Sequence, residues 1–178
     1  MVVYNNNDID AIVFEIKNNK ALIAPTDTIP GILAKNKNTI YRLKKRNRNK
    51  KIILFVCSWK HIKDLNNNFI KLARHFWPGN LTIVKNGISY RVPRDKFLLE
   101  IISRTGPLYC SSANLSGYNV IKNYQEAYDM FGIFGTEVIY LDGNYCINKP
   151  STVYDLDKDR ILREGEITHE QIRNIIQN

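Results

Sequence analysis

The apolar residues of this chain fall in short runs closed off by polar or turn-forming residues, and the longest, 52–57, is only six residues long. Runs of that length suit buried strands, and they fall far short of the roughly 18 to 20 residues needed to cross a bilayer. A second such run, 21–24, ends at Pro25, and strands are also predicted over 81–84, 89–92, 108–110, 137–141, 152–156 and 160–162. The pair 81–84 and 89–92 is joined across Asn86-Gly87, a favoured hairpin turn. Between strands the period becomes helical. Ile9, Ile12, Val13 and Ile16 share one face over 8–18, a helix capped by Asn38 carries Ile40, Tyr41 and Leu43, and helices are predicted over 67–76, 96–103 and 124–131. A last helix over 168–176 has Thr168 as its cap. Helices interleaved with strands, with at least one hairpin, imply an α/β fold in which a mixed sheet is packed by helices.

A chain of 178 residues fits one domain, 1–178, with a core of its own. Polar residues follow Tyr4 where a signal peptide would continue apolar, so the expected location is cytoplasmic, with no membrane contact. Cys57, Cys110 and Cys146 are odd in number and far apart, which fits neither a disulfide framework nor a zinc site; buried free thiols are expected. His61, His75 and His169 form no metal-like or triad-like pattern. The net charge of +9, from 26 basic against 17 acidic residues, favours polyanionic partners or phosphorylated substrates.

Several segments could carry chemistry. In 26–31 the prolines and glycine make a turn, while short hydroxyl and carboxylate side chains stay available to a ligand. Lys44 and Arg46, two apart, converge only if the helix has ended before them; a lysine and a forked arginine then suit phosphate and carboxylate oxygens. The run 42–51 reads equally as a solvated basic face or a nucleic-acid contact. Ser112 and Asn114 follow the strand 108–110 at its carboxyl end, where open α/β sheets bind ligands, although turn and cap roles suit them as well. Arg91, between apolar neighbours, needs an anionic partner if buried. The segment 76–82 reads as core packing with a helix stop, and 150–155 and 162–165 as strand starts and turns.

In order, Ala24-Pro25-Thr26-Asp27-Thr28, Lys44-Lys45-Arg46, Trp77-Pro78-Gly79 with Leu81-Thr82, Arg91-Val92-Pro93, Ser112-Ala113-Asn114-Leu115-Ser116-Gly117, Ser151-Thr152-Val153 and Leu162-Arg163-Glu164-Gly165 resemble the motifs of the threonylcarbamoyl-adenylate synthases. The resemblance covers roughly residues 20 to 168 and is to the short, single-domain branch. It implies a twisted open mixed sheet of YrdC-like type with a basic concave face. The implied reaction joins L-threonine, bicarbonate and ATP into threonylcarbamoyl-AMP and pyrophosphate, the first step of threonylcarbamoyladenosine formation in tRNA. By motif position, Thr26, Arg91, Ser112 and Ser151 hold threonine, and Lys44, Arg46, Asn114 and Arg163 contact ATP, with Lys44 and Arg46 nearest the transferring charge. Magnesium is expected on the phosphates, with few or no protein ligands. A downstream threonylcarbamoyl-transferase and a tRNA contact are the implied partners.

Three positions depart from the pattern: Pro30 where an aromatic residue is usual, Lys51 where a proline commonly precedes the strand, and Asn80 where a proline usually follows Pro-Gly. A non-catalytic module for double-stranded RNA or tRNA explains the charge but leaves the Ser-x-Asn and Arg-x-Gly segments without a role. A carbamoyl-transfer domain like that of hydrogenase maturation proteins comes with acylphosphatase and cysteine-rich zinc segments, which this sequence does not contain.

Overall fold

The structure is a computed structural model that describes residues 2–177. Its first half contains β1 (Val3–Tyr4), α1 (Ile9–Lys17), β2 (Ala21–Ala24), β3 (Gly31–Ala34), α2 (Lys37–Leu43), β4 (Ile53–Phe55) and α3 (Asn67–Phe76). The hairpin β5 (Leu81–Lys85) and β6 (Ile88–Arg91) follows, then α4 (Lys96–Thr105), β7 (Leu108–Ser112), α5 (Tyr124–Phe131), β8 (Val138–Leu141), β9 (Thr152–Asp155), β10 (Arg160–Arg163) and α6 (His169–Gln177).

The strands form one mixed sheet in the order β1-β8-β2-β3-β7-β4-β6-β5-β9-β10. β3 lies between β2 and β7, antiparallel to both, and β4 lies between β7, antiparallel, and β6, parallel. Alternation along the strands feeds two cores. Ala21 and Ile23 of β2 pack with Ile40, Leu43 and Phe131 under α2 and α5, whereas Leu22 and Ala24 pack with Ile12, Ile16, Leu98 and Ile101 under α1 and α4. β2 is therefore buried on both faces, which is why it reads as a continuous apolar run. A third cluster around Phe69, Trp77, Ile83, Tyr154 and Ile172 holds α3 and α6 at the β5–β9 end.

Helix starts are fixed by side-chain caps. Asn66, Asp95 and Asn123 accept hydrogen bonds from the third residue of α3, α4 and α5. The cap of α2 is Asn36, which accepts from the Asn38 amide, so the expected cap at Asn38 moves back by two residues. Asn86 (φ 51°) and Gly87 (φ 78°) both take the left-handed conformation that a tight hairpin requires. Two strands lie outside the predicted set: β1, of two residues, and β3, whose first residue, Gly31, belongs to the predicted turn. β7 also runs two residues further than predicted and includes Ser112.

Candidate active site

The loop between β2 and β3 is tied by its own hydroxyls: the Thr28 amide donates to Thr26 Oγ1 at 3.1 Å, and Thr26 Oγ1 donates to the Ile29 carbonyl at 2.8 Å. This presents Thr26, Asp27 and Thr28 to the end of β6, where Arg91 is buried with 2% of its side chain exposed. Arg91 Nε donates to the Gly79 carbonyl (2.8 Å), Nη1 to Thr28 Oγ1 (2.8 Å) and Nη2 to Asn80 Oδ1 (3.1 Å). Asp27 Oδ1 stands 2.8 Å from Nη2, the anionic partner that a buried strand arginine needs. Asp27 Oδ2 in turn accepts from the Arg94 amide at 2.8 Å. The guanidinium also lies 5.5 Å from the centre of the Phe55 ring. Burial lowers the Arg91 pKa and Asp27 opposes the shift. Its hydrogen bonds use one N–H each on Nε, Nη1 and Nη2, and Asp27 Oδ1 faces Nη2 as an ion pair, so Nη1 keeps one N–H that no hydrogen bond uses.

α2 ends at Leu43 and Lys45 takes φ 47°, so Lys44 and Arg46 are released from helical spacing and turn to the same end of β7. Lys44 is buried. Its Nζ donates to the Ser112 carbonyl, to Ser112 Oγ (3.3 Å), to the Asn114 carbonyl (2.7 Å) and to Asn114 Oδ1 (2.8 Å). Burial, and then the charge of Arg46, brings Lys44 down to about 7, while the surrounding oxygens favour its ammonium form. Ser112 Oγ donates to Asn114 Oδ1 at 2.6 Å, and the Asn114 amide donates to the Leu115 and Tyr118 carbonyls, so lysine and asparagine together hold the end of β7.

On the far side, Arg163 donates from Nε and Nη2 to the Ser151 carbonyl (3.0 and 2.8 Å) and from Nη2 to Ser151 Oγ (2.9 Å). Ser151 Oγ is also 2.8 Å from Thr82 Oγ1. The Arg163 pKa is lowered by burial and then by the charges of Arg91 and Arg46, which places it within the field of both. Arg46 donates from Nη2 to the Lys51 carbonyl at 3.2 Å, while its buried Nε has no hydrogen-bond partner among the described residues.

These groups surround a cavity of about 400 Å³. Thr26, Arg46, Arg91, Ser112, Ser151 and Arg163 line it, whereas Lys44 and Asn114 stand behind Ser112. The basic run therefore divides: Lys44 is buried, Arg46, Lys50 and Lys51 reach the cavity, and Lys45 and Arg48 are exposed. Thr28 and Asp27 belong to the loop whose hydroxyl and carboxylate side chains the sequence offers to a ligand, and Lys50 and Lys51 to the basic run, but none of the four was assigned a place in the site. Period-two alternation with Ile53 and Phe55 was the available signal for Lys51. The segment 76–82 also does more than pack, because Gly79 and Asn80 both hold Arg91.

Cys110 is buried in the cavity wall, and burial pushes its thiol up to about 12. Cys57 is only half-buried and Cys146 is exposed, so the expectation of buried thiols holds for Cys110 alone; all three are free. Among the described residues there is no group of three or more His, Cys, Asp or Glu side chains placed to hold a metal ion, and no helix long and apolar enough to cross a membrane.

Residues 15–165 match the model of the Sua5/YciO/YrdC family, described as "Telomere recombination". An uncharacterized protein of Mycoplasma genitalium is 30% identical over 92% of this chain and 39% of its own length. The threonylcarbamoyl-AMP synthase of Bacillus subtilis is 29% identical over 90% of this chain and 54% of its own. The crystal structure of P. abyssi Sua5 complexed with L-threonine superposes with a TM-score of 0.85 at 24% identity, covering 99% of this chain and 61% of that one. The chain thus spans less than two thirds of each of these three proteins.

Proposed function

The chain belongs to the Sua5/YciO/YrdC family, and on that premise we propose that it makes threonylcarbamoyl-AMP and pyrophosphate from L-threonine, bicarbonate and ATP. The observation that carries this reading is the convergence of three arginines, Arg46, Arg91 and Arg163, on one cavity that Thr26, Ser112 and Ser151 also line. Among the described residues, Asp27 is the one carboxylate paired with any of the three arginines, so the cavity is suited to anions.

In the proposed reaction the threonine carboxylate meets the free N–H of Arg91 Nη1, with the hydroxyls of Thr26, Ser112 and Ser151 as further partners. The amine takes up the carbon of bicarbonate with loss of water, giving a carbamate. A carbamate oxygen then attacks the α-phosphorus of ATP in line, the bond from that phosphorus to the bridging oxygen breaks, and pyrophosphate leaves with the electron pair. Arg46 and Arg163 neutralise the developing charge, so positioning and electrostatics supply most of the acceleration. Lys44 and Asn114 act through Ser112, whose orientation they hold. The Cys110 thiol stays protonated at neutral pH, and no nucleophilic side chain is required. Magnesium enters on the phosphates of ATP and keeps mostly water around it. The product is a reactive mixed anhydride, so the consuming reaction is a transfer of the threonylcarbamoyl group to tRNA by a partner enzyme.

The test is incubation of the protein with ATP, magnesium and labelled bicarbonate, with and without L-threonine. Threonine-dependent label in an adenylate, matched by pyrophosphate, is the expected result. Tight RNA binding with neither product would replace the synthase reading by a binding module.

A further inference from the structure

Arg91 is held on one side by the loop after β2 and on the other by Asn80, at the turn that leads into β5. The Asn80 side chain bridges two groups: its Oδ1 accepts from Arg91 Nη2 at 3.1 Å, and its Nδ2 donates to Glu166 Oε2. A guanidinium can only donate and a carboxylate only accept, so these partners fix which way the amide faces. Rotated by half a turn, it would set N–H against N–H at Arg91 and oxygen against oxygen at Glu166. Glu166 is exposed and is not among the residues that line the cavity. Its backbone is nonetheless fixed, because the segment 163–167 lies across the start of β9. Arg163 grips the Ser151 carbonyl and Oγ, a Cβ on Gly165 would run into the backbone of 150–152, and Ile167 exchanges hydrogen bonds with Thr152 Oγ1 (2.7 and 3.0 Å). The Thr152 amide in turn donates to the Asn80 carbonyl at 3.0 Å.

From this chain of contacts we infer that Glu166 and Asn80 are positioning residues for Arg91: Glu166 sets the Asn80 amide, and the amide turns the guanidinium so that its free Nη1 N–H meets the amino-acid carboxylate. The inference rests on the synthase reading for that substrate. Asp27 neutralises the arginine at Nη2, and Asn80 adds the directional contact at the same nitrogen. A guanidinium turned away keeps its charge but loses the directional hydrogen bonds that a carboxylate rewards. Asn80 stands where a proline usually follows Pro-Gly in the family that the motifs resemble, and proline has no side-chain donor or acceptor, so the relay is a feature of the present chain.

Calorimetric titration with L-threonine across a double-mutant cycle of Glu166→Ala and Asn80→Ala tests the relay. Glu166 is exposed and Asn80 half-buried, so the variants are expected to fold, and urea midpoints report that they have. Each single variant should bind threonine about three- to tenfold more weakly, the size of one hydrogen bond. The double variant should bind it no more weakly than Asn80→Ala, because Glu166 acts through the amide. Asn80→Asp sets two carboxylates together, and adding Glu166→Gln, whose amide donates to the new carboxylate, should recover about threefold or more of the lost affinity. A residue that merely braced the segment 163–167 would not give that reversal. The inference is overturned if the wild type does not bind threonine, if Glu166→Ala binds it as the wild type does, if Glu166→Ala costs as much affinity without Asn80 as with it, or if Glu166→Gln fails to rescue Asn80→Asp. Labelled-bicarbonate incorporation by the wild type separates the two claims. Without incorporation, a coupled cycle leaves a positioned carboxylate site and removes the synthase; with incorporation and an additive cycle, the relay alone falls.

Discussion

Asp27 and Arg91 meet at 2.8 Å across the cavity floor, where the arginine side chain is 2% exposed and the aspartate side chain 11%. The loop after β2 is thereby fixed to the end of β6 by a charge pair that neither element holds alone. Removing one partner leaves the other buried and uncompensated, which costs about 3–5 kcal/mol. Asp27→Ala should therefore lose roughly that much in urea denaturation and weaken L-threonine binding with it. An Arg91→Met/Asp27→Leu pair, which removes both charges, should recover much of the stability but none of the threonine binding. Unchanged stability in Asp27→Ala would show that the pair anchors nothing.

Most of the architecture was legible in the sequence because most elements announce themselves by period and punctuation. α3 and α5 carry helical spacing between an asparagine cap and a break, and β2 is an apolar run stopped by Pro25. β3 escaped because Pro30-Gly31 looks like a turn, and the strand is bought by pairing with β2 and β7 rather than by local propensity. The site divides the same way. Arg91 betrayed its need for an anion, but Asp27 lies 64 positions away, and only the fold makes them neighbours. The burial of Lys44 was hidden within a charged run, since nothing local distinguishes it from the exposed Lys45.

Lys44 carries a pH signature. An amine whose pKa is about 7 in the folded protein, below the ordinary lysine value of the unfolded chain, binds fewer protons when folded. Its burial penalty is fully present below pH 7 and is relieved as pH rises toward 10, so its contribution to stability increases across that window. Comparing urea midpoints of the wild type and Lys44→Met at about pH 6.5 and about pH 9.5, near the edges of that window, should show a rise in the wild type that the variant lacks. Parallel changes in both proteins would assign the pH dependence to other groups. Because the Met side chain cannot donate to Ser112 or Asn114, the variant should also lose synthesis.

Arg46 brings a planar guanidinium fork to the cavity wall, whereas lysine offers a point charge. Arg46→Ala should lower kcat/KM for ATP about 100- to 1000-fold, in line with the loss of one charge-stabilising donor in a preorganised site. Arg46→Lys should restore only a small part of that loss. If Arg46→Lys works as well as the wild type, charge alone is required and the planar geometry has no role.

Gly31 begins β3 at the cavity wall, and a Cβ there would lie 2.9 Å from Cys110 Sγ and 3.2 Å from Thr26 Cγ2. Its partner across the ladder is Ser112, so any shift to relieve the clash moves a hydroxyl that lines the cavity. Cys110 is buried and cannot swing into solvent. Gly31→Ala should therefore destabilise by about 1–3 kcal/mol, the cost of overpacking, and raise KM for L-threonine by displacing Thr26. Removing the sulfur in a Gly31→Ala/Cys110→Ala double variant creates room for the added methyl group, so the two substitutions should couple by more than about 0.5 kcal/mol. Strict additivity in that cycle would mean that the strand accommodates a side chain at Gly31 by moving as a whole. Stability recovered with KM still raised would place the remaining strain on Thr26, the second of the two contacts.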